Sequence, residues 1–313
     1  MNIISPIEHT HELSHFNCPF ESQPKMSMIT KLSSIFLRRS NNKSRMLYRC
    51  LSTSASVSQV SMVQGASRGI GLEFVRQLLV MKDEGHVVAT CRKPEGATGL
   101  LELQEKFSQH LHICQLDLTN ESTMEESANY VKDKFGHLNL LINASGILSI
   151  PGVIQPETTL SKVQRSSLLL AYEVNAVGPV LVIKHMWPLL KAGGSLALGK
   201  NASVVASLSA RVGSIGDNKL GGWHSYRASK TALNQLTKNI AVEFARRKDP
   251  IICLLLHPGT VDTDLSKPFQ KNVPEGKLFT KEFSVKKLLS IINNAKTHDN
   301  GKFFAWDGQE ILW

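Results

Sequence analysis

Apolar runs alternate with amphipathic segments from about residue 58 to the last residue, Trp313. The runs that predict strands lie at 60–65, 86–91, 111–116, 138–144, 202–208, 251–256 and 302–306. Apolar residues at helical spacing fill the intervals, at 70–82, 98–109, 121–135, 165–191, 226–248 and 284–294.

Several of these strands are apolar at every position, as "IICLLL" at 251–256 illustrates. Such strands are typical of a parallel sheet whose two faces are both covered by helices. The alternation therefore predicts an α/β fold, a doubly wound and mostly parallel sheet of the Rossmann type with helices on both faces. No repeat or linker interrupts it, so residues 58–313 are predicted to form a single domain.

The first 57 residues differ in character from this domain. Between Met26 and Met62 there is no Asp or Glu, and serine is frequent. In "MSMITKLSSIFLRR" the apolar residues fall along one side of a positive helical segment, which is typical of an organellar transit peptide. The stretch "RCLSTSAS" is similar to a mitochondrial processing site. We predict that 1–57 is a targeting or disordered leader and that the protein is mitochondrial. The alternatives are a plastid address, or a cytoplasmic protein whose translation starts downstream of the leader.

Composition excludes several other classes. The chain is 42% hydrophobic, and no stretch of about 18 apolar residues predicts a membrane span. The net charge is +10, but no block of like charge indicates a nucleic-acid surface. The five cysteines are far apart and form no Cys-x-x-Cys pair. His9, His11 and His15 have no structured context, so no metal site is predicted.

A cluster of glycines in "QGASRGIG" (64–71) joins the first strand to the first helix. Gly65 allows a tight turn, Gly69 lets the backbone approach a pyrophosphate, and Gly71 lets the helix lie close to the sheet. The N–H groups and positive end of the helix favour phosphate there. The strand before and the helix after this loop predict a dinucleotide site.

Arginine rather than acid marks the predicted adenosine end. The second strand ends "VVATCRKP", without the carboxylate that would hold the ribose 2′-hydroxyl of NAD. Arg92 follows that strand and Arg68 lies in the glycine loop; a guanidinium binds phosphate through a bidentate fork. We therefore predict NADP (NADPH), with NAD as the alternative. Asp117 is predicted to contact the adenine, or else to cap the next helix with Thr119 or Asn120.

Tyr226 and Lys230 stand four residues apart in "HSYRASKTALNQL", on one face of a predicted helix. An unperturbed Tyr hydroxyl titrates near 10. A neighbouring ammonium and the positive nicotinamide would lower that pKa, so that Tyr226 can exchange a proton with a carbonyl or alcohol oxygen. Lys230 would also bond the nicotinamide ribose. Without its context, a Tyr–Lys pair at this spacing is usually a surface contact.

Taken together, the motifs resemble the short-chain dehydrogenases/reductases of the classical type over about residues 60–313. The matching stretches are "GASRGIG" (65–71), "NASG" (143–146), "VNAVG" (174–178), "YRASK" (226–230) and "HPGTVDTDL" (257–265). They resemble, in order, the family's cofactor loop, its strand-four motif, its central-helix asparagine, its Tyr-x-x-x-Lys element and the segment that closes over the nicotinamide. The stretch at 210–230 and the ending "GKFFAWDGQEILW" are most similar to the C-factor and sniffer-type carbonyl reductase branch.

The resemblance implies a role for each matching residue. Asn175 would position the water that relays protons to Lys230, and a serine at the end of the fifth strand would polarise the substrate oxygen. Asn143 would line the cofactor and hold the centre of the sheet. The implied cofactor-binding set is Gly65, Ser67, Arg68, Gly69, Ile70, Gly71, Arg92, Asp117, Leu118, Asn143, Ala144, Tyr226, Lys230, Pro258, Gly259 and Thr263.

Three positions depart from the family pattern. Gln64 stands where the family usually has Thr, and Ser145 where it has Ala. In "SLSA" (207–210) the catalytic slot falls on Ala210, with Ser209 one position early, while the family's usual distance from Tyr226 falls near Ser214. Because the intervening loop is longer here, we take Ser209 as the catalytic serine and keep Ser214 as the alternative.

The resemblance therefore implies an NADPH-dependent oxidoreductase that interconverts a carbonyl and an alcohol, with Tyr226 as general acid/base. The alternative is a non-catalytic nucleotide-binding module, for signalling or structure. The expected partner is a small carbonyl or alcohol; no nucleic acid or membrane insertion is expected. The segment 266–280 is predicted to form the substrate lid, and the long helices at 165–191 and 226–248 to pair subunits in a homodimer or homotetramer.

Overall fold

A seven-stranded sheet forms the centre of the computed structural model, which describes residues 58–81, 85–196 and 202–313. The predicted leader, 1–57, lies outside the described residues. The strands of this sheet are β1 (Val60–Gln64), β2 (His86–Cys91), β3 (Leu111–Gln115), β4 (Leu140–Asn143), β5 (Ser203–Leu208), β6 (Ile251–His257) and β9 (Lys302–Ala305). Their order is β3-β2-β1-β4-β5-β6-β9, and every neighbouring pair is parallel. The predicted doubly wound fold is confirmed.

Helices cover both faces of the sheet. They are α1 (Gly69–Met81), α2 (Thr98–Lys106), α3 (Glu121–Phe135), α4 (Arg165–Tyr172), α5 (Gly178–Leu196), α6 (His224–Arg247) and α7 (Lys281–Asn294). α1, α2 and α7 pack on one face through residues such as Phe74, Leu100 and Leu288. α3, α5 and α6 pack on the other through residues such as Met124 and Met186. Burial on both faces explains why the strands are apolar at every position.

The predicted helix at 165–191 is interrupted in the structure. A π-helical turn, Glu173–Val177, joins α4 to α5 and carries Asn175. Such turns insert one residue into a helix and often mark functional positions. The continuous segment Arg165–Leu196 is long and apolar enough to cross a membrane by length and composition. Core helices of globular proteins meet the same criterion, and the buried side chains of α5 pack in the core against the sheet.

A second, two-stranded sheet was not predicted. β7 (Thr260–Val261) precedes the predicted lid, 266–280, and β8 (Leu278–Phe279) lies near the end of that segment; the two strands pair in parallel. Two residues per strand are too few for a period-two signal in the sequence. Within the lid, Lys267–Asn272 forms a 3₁₀ turn.

Candidate active site

The glycines of the loop between β1 and α1 stand where a side chain would be strained or would clash. Gly65 and Gly69 have φ of +82° and +60°, in the left-handed region. A Cβ on Gly71 would lie 2.9 Å from the carbonyl carbon of Gly65, and closer still to its oxygen. Ser67 and Ile70 are half-buried in the same loop. α1 begins at Gly69 with no acid in its first turn, so its free N–H groups suit a pyrophosphate.

The segment after β6 lies against this loop. The Thr263 methyl carbon is 3.7 Å from the position that a Cβ on Gly69 would take. Arg68 and Asp264, both well exposed, approach to 3.6 Å. Gly259 has φ of +79°, and a Cβ there would lie 2.6 Å from the Phe279 ring. This segment therefore stands beside the glycine loop; its contact with a nicotinamide stays a prediction.

Four buried polar side chains cross the carboxyl edge of the sheet in one row. Strand register aligns Thr90, Gln64, Asn143 and Ser207, on β2, β1, β4 and β5 respectively. Gln64 Nε2 donates to Ser145 Oγ at 2.8 Å, and Asn143 Nδ2 donates to Ser207 Oγ at 3.4 Å. Gln64 Oε1 and Asn143 Oδ1 are buried without a partner among the described residues. β1 and β4 are where the strand order reverses, the usual place for a ligand in such sheets.

At the predicted adenosine end, the two arginines remain exposed while Asp117 is engaged. Asp117 Oδ1 accepts hydrogen bonds from both the N–H and the hydroxyl of Thr119. Asn120 caps α3, accepting from Ser122 N. The capping role, one of the alternatives, therefore falls to Asn120, and Asp117 braces the preceding turn. Arg92 directly follows β2. Leu118 is buried, close against Gly178, and Ala144 N donates to the carbonyl oxygen of Gln64.

Tyr226 and Lys230 lie together in the first two turns of α6. Lys230 is 3% exposed, its Nζ donates to the carbonyl oxygen of Leu208 at 2.9 Å, and it lies 5.9 Å from the centre of the Tyr226 ring. Burial lowers the pKa of Lys230 to about 8 and raises the pKa of Tyr226. The sequence interpretation expected the ammonium to lower the Tyr226 pKa, whereas in the protein alone desolvation dominates. The phenol therefore holds its proton at neutral pH.

Asn175 ties the loop after β4 to α6. Its Oδ1 accepts from Ile147 N at 2.7 Å, and its Nδ2 donates to Ile147 O at 2.8 Å and to Ser229 Oγ at 3.0 Å. A Cβ on Gly146 would lie 3.3 Å from Lys230 Nζ and 3.4 Å from Asn175 Oδ1. The structure thus brings Asn175, Lys230 and Gly146 to one point. Gly146 lies inside the motif "NASG" (143–146), which by itself assigns it no role.

Both candidate serines are engaged within the protein. Ser209 Oγ donates to Asn234 Oδ1 at 2.6 Å, and both residues are buried. Ser214 Oγ donates to Leu312 O at 2.6 Å and accepts from Asp217 N. No bond joins either hydroxyl to Tyr226 among the described contacts, so the choice of catalytic serine stays a prediction. Asn234, one turn beyond Lys230, continues the spacing 226, 230, 234, a signal that could have identified it.

An aromatic wall flanks the Tyr226 ring. Trp223 packs edge-on against Tyr226 with ring centres 6.3 Å apart, and Phe269 of the predicted lid lies 5.1 Å from Trp223. No local sequence pattern predicts this contact, because Phe269 is 43 positions from Tyr226. A separate groove of about 590 Å³ lies between α4 and α6 and is lined by residues such as Tyr172, Arg227 and Thr231, not by Tyr226 or Lys230. In the parts of the chain that the structure describes, no group of three or more His, Cys, Asp or Glu side chains is placed to hold a metal.

Comparisons with known proteins place the chain in a family. The profile of a family described as short chain dehydrogenase matches residues 59–274. A Schizosaccharomyces pombe protein described as an uncharacterized oxidoreductase is 32% identical over 82% of this chain and 99% of its own. An NADPH-bound carbonyl reductase from chicken fatty liver is 32% identical with a TM-score of 0.73, covering 82% of this chain and 99% of its own. The carbonyl reductase Sniffer of Drosophila melanogaster is 28% identical with a TM-score of 0.72, covering 82% and 100%.

Proposed function

The chain belongs to the short-chain dehydrogenase family and is an NAD(P)-dependent oxidoreductase, and we propose that it is an NADPH-dependent carbonyl reductase with Tyr226 as general acid. The observation that carries the proposal is the buried Lys230 ammonium beside Tyr226, with Gly146 packed between Lys230 and Asn175. When bound, the dinucleotide supplies a hydride to the carbonyl carbon.

The protein's own part is to deliver a proton to the oxygen. The Tyr226 hydroxyl is protonated at neutral pH and can donate to a carbonyl oxygen as negative charge develops there. Burial alone raises its pKa, so the positive charges of Lys230 and of the bound nicotinamide are needed to lower it. The resulting phenolate would be stabilised by the Lys230 ammonium. Asn175 fixes the loop after β4 against α6. We propose Ser209 as the group that polarises the substrate oxygen.

Charge at the adenosine end supports NADPH over NADH. Arg68 and Arg92 are exposed, and β2 ends in Cys91 rather than an acid. One similar structure, the chicken liver carbonyl reductase, was solved with NADPH. If this proposal is right, replacing Arg68 and Arg92 together with Ala weakens NADPH binding by about tenfold or more, since charged hydrogen bonds contribute about 1.5–3 kcal/mol each, and leaves NADH binding unchanged.

The decisive assay is NADPH oxidation, followed at 340 nm, with a panel of aldehydes and ketones. Tyr226→Phe is expected to reduce kcat by about 10²–10⁴-fold while NADPH still binds, because only proton transfer is removed. Tyr130→Phe, on the exposed face of α3, is the matched control. Equal turnover by Tyr226→Phe and the wild type would remove Tyr226 from the chemistry.

The alternative considered from the sequence, a non-catalytic nucleotide-binding module, is disfavoured by the family assignment. The observation that favours it is the engagement of both serine hydroxyls, Ser209 with Asn234 and Ser214 with Leu312. It predicts that the wild type binds NADPH with no turnover on any carbonyl of the panel. Turnover that depends on Tyr226 would exclude it.

We also propose mitochondrial import through residues 1–57 and assembly as a homodimer or homotetramer. The exposed apolar residues beside the α4–α6 groove, among them Leu169 and Ile215, support pairing of subunits there. A fluorescent fusion with and without residues 1–57 tests import. Light scattering of the purified protein tests assembly, and a monomer at micromolar concentration would contradict it.

A further inference from the structure

The helix that carries Tyr226 begins without a cap of its own. Trp223 precedes α6 in the left-handed region, with φ of 48° and ψ of 44°, and its side chain makes no capping bond. The first N–H groups of a helix have no partners within the helix and need acceptors from elsewhere. Tyr226 lies in that first turn, so the group that satisfies this end also fixes the position of the phenol.

Glu157 supplies those acceptors from the loop that follows β4, 68 positions earlier in the chain. Its Oε2 accepts from Ser225 N at 3.2 Å, and its Oε1 accepts from Ser225 Oγ. Its main-chain carbonyl accepts from Trp223 N. Three hydrogen bonds from one residue therefore hold both sides of the helix start.

The Glu157 side chain is buried, which is unusual for a carboxylate. Glu157 is 3% exposed, and no Lys or Arg among the described residues forms an ion pair with it. Burying an unpaired carboxylate is expensive unless it is hydrogen-bonded. Here the N–H and hydroxyl of Ser225 and the positive end of α6 stabilise it.

The same loop touches the site at its other end. Ile147 makes both backbone bonds to Asn175, and Gly146 lies against Lys230. One segment, 146–157, thus contacts the residues around the Lys230 ammonium and the helix turn that bears Tyr226. Loss of the Glu157 bonds would release the helix turn that bears Tyr226 and leave the contacts around Lys230 in place.

We propose that Glu157 is a positioning residue: its carboxylate fixes the first turn of α6 and thereby the Tyr226 hydroxyl relative to Lys230 and Asn175. The inference rests on the proposed function, because it requires Tyr226 to be the proton donor. We therefore expect loss of the Glu157 carboxylate to lower kcat without weakening NADPH binding, since Glu157 contacts α6 and not the glycine loop.

The test compares Glu157→Ala, Glu157→Gln and, as a charge-matched control, Glu126→Gln on the exposed face of α3. Glu157→Ala is expected to lower kcat about 30–100-fold, because small misplacements of a catalytic group have effects of that order, with the NADPH Kd within twofold of the wild type. Glu157→Gln keeps an oxygen that accepts from Ser225 N and is expected to recover kcat to within about fivefold. Glu126→Gln should match the wild type.

A readout independent of turnover is hydrogen exchange across 224–230, measured by mass spectrometry. Glu157→Ala should speed exchange there about tenfold or more by releasing Ser225 N, while Glu157→Gln should not. Unchanged kcat in Glu157→Ala, or a loss shared with NADPH binding and not recovered by Gln, overturns the proposal. If the wild type turns over no carbonyl, the reductase proposal fails and the positioning role falls with it, whatever the exchange result. If the wild type is active and exchange is unaltered, only the Glu157 inference is lost.

Discussion

Replacing Lys230 with Met is expected to stabilise the protein at neutral pH while abolishing turnover. The Lys230 side chain is 3% exposed, and its ammonium has one described hydrogen bond, to the carbonyl oxygen of Leu208. Burial alone accounts for the lowering of its pKa from 10.5 to about 8. Methionine has a stem of similar length without a charge to desolvate, so it isolates the effect of the ammonium.

The magnitude follows from the pKa. Each unit corresponds to about 1.4 kcal/mol, so burying the ammonium costs about 3 kcal/mol below pH 8. Met loses the bond to Leu208, worth about 1 kcal/mol, which leaves the variant about 2 kcal/mol more stable at pH 7. Between pH 8 and 10.5 the unfolded chain binds more protons than the folded one, so wild-type stability rises with pH in this window. The advantage of the variant should therefore disappear by about pH 10.

Urea unfolding from pH 7 to pH 10 measures this difference, with Lys132→Met on the exposed face of α3 as the control for the titration of ordinary lysines. NADPH oxidation on the same samples measures turnover. A wild type more stable than Lys230→Met at pH 7, or a difference that does not shrink with rising pH, would refute the reasoning. Either result would mean that water reaches the ammonium.

Three further outcomes are expected. Gly69→Ala and Gly136→Ala each place an alanine in the left-handed region and should each lower the free energy of unfolding by about 1–2 kcal/mol. Only Gly69→Ala should lose NADPH affinity, by at least tenfold in a fluorescence titration. Equal affinities of the two variants would contradict the proposal that the glycine loop binds the cofactor phosphates. Asp264→Asn removes the carboxylate that lies 3.6 Å from Arg68 and frees the guanidinium for a 2′-phosphate. Because exposed ion pairs are weak, the preference for NADPH over NADH should rise only about two- to fivefold. An unchanged ratio of the two Kd values would show that Arg68 does not meet the 2′-phosphate. Burial and the charge of Lys134 lower the pKa of His112 to about 4, so the free energy of unfolding of the wild type should fall as the pH drops from 6.5 to 4. In urea unfolding, His112→Gln should show a smaller fall over the same range. Identical pH profiles would count against a buried neutral imidazole.

The fold and the two principal motifs could be predicted because their signals are local. Gly65, Gly69 and Gly71 span seven residues, and Tyr226 and Lys230 are one helical turn apart. Strand and helix periods are likewise read within a dozen residues. In each case the physical requirement, a left-handed turn or a shared helix face, is met inside one short window of sequence.

The contacts that remained hidden join distant parts of the chain. Ser209 meets Asn234 across 25 positions, and Glu157 meets Ser225 across 68. Motif spacing identified Ser209 as a candidate but could not show that a buried amide accepts its hydroxyl hydrogen. The rise of the Tyr226 pKa in the protein alone was hidden for the same reason: the neighbouring charge is visible in the sequence, whereas the extent of burial is a property of the assembled fold.

The departures at Gln64 and Ser145 are better understood as one change than as two. Gln64 lies at the end of β1, where a buried amide donor without an acceptor would be destabilising. Ser145 provides that acceptor, since its Oγ receives the Gln64 Nε2 bond at 2.8 Å, which the alanine usual in the family could not do. Ser145 N would lie 2.9 Å from a Cβ on Gly65, so the pair also packs directly against the glycine that opens the phosphate loop. Each substitution alone looks like a weakened motif, but together they rebuild the contact between the ends of β1 and β4 beside the cofactor cradle.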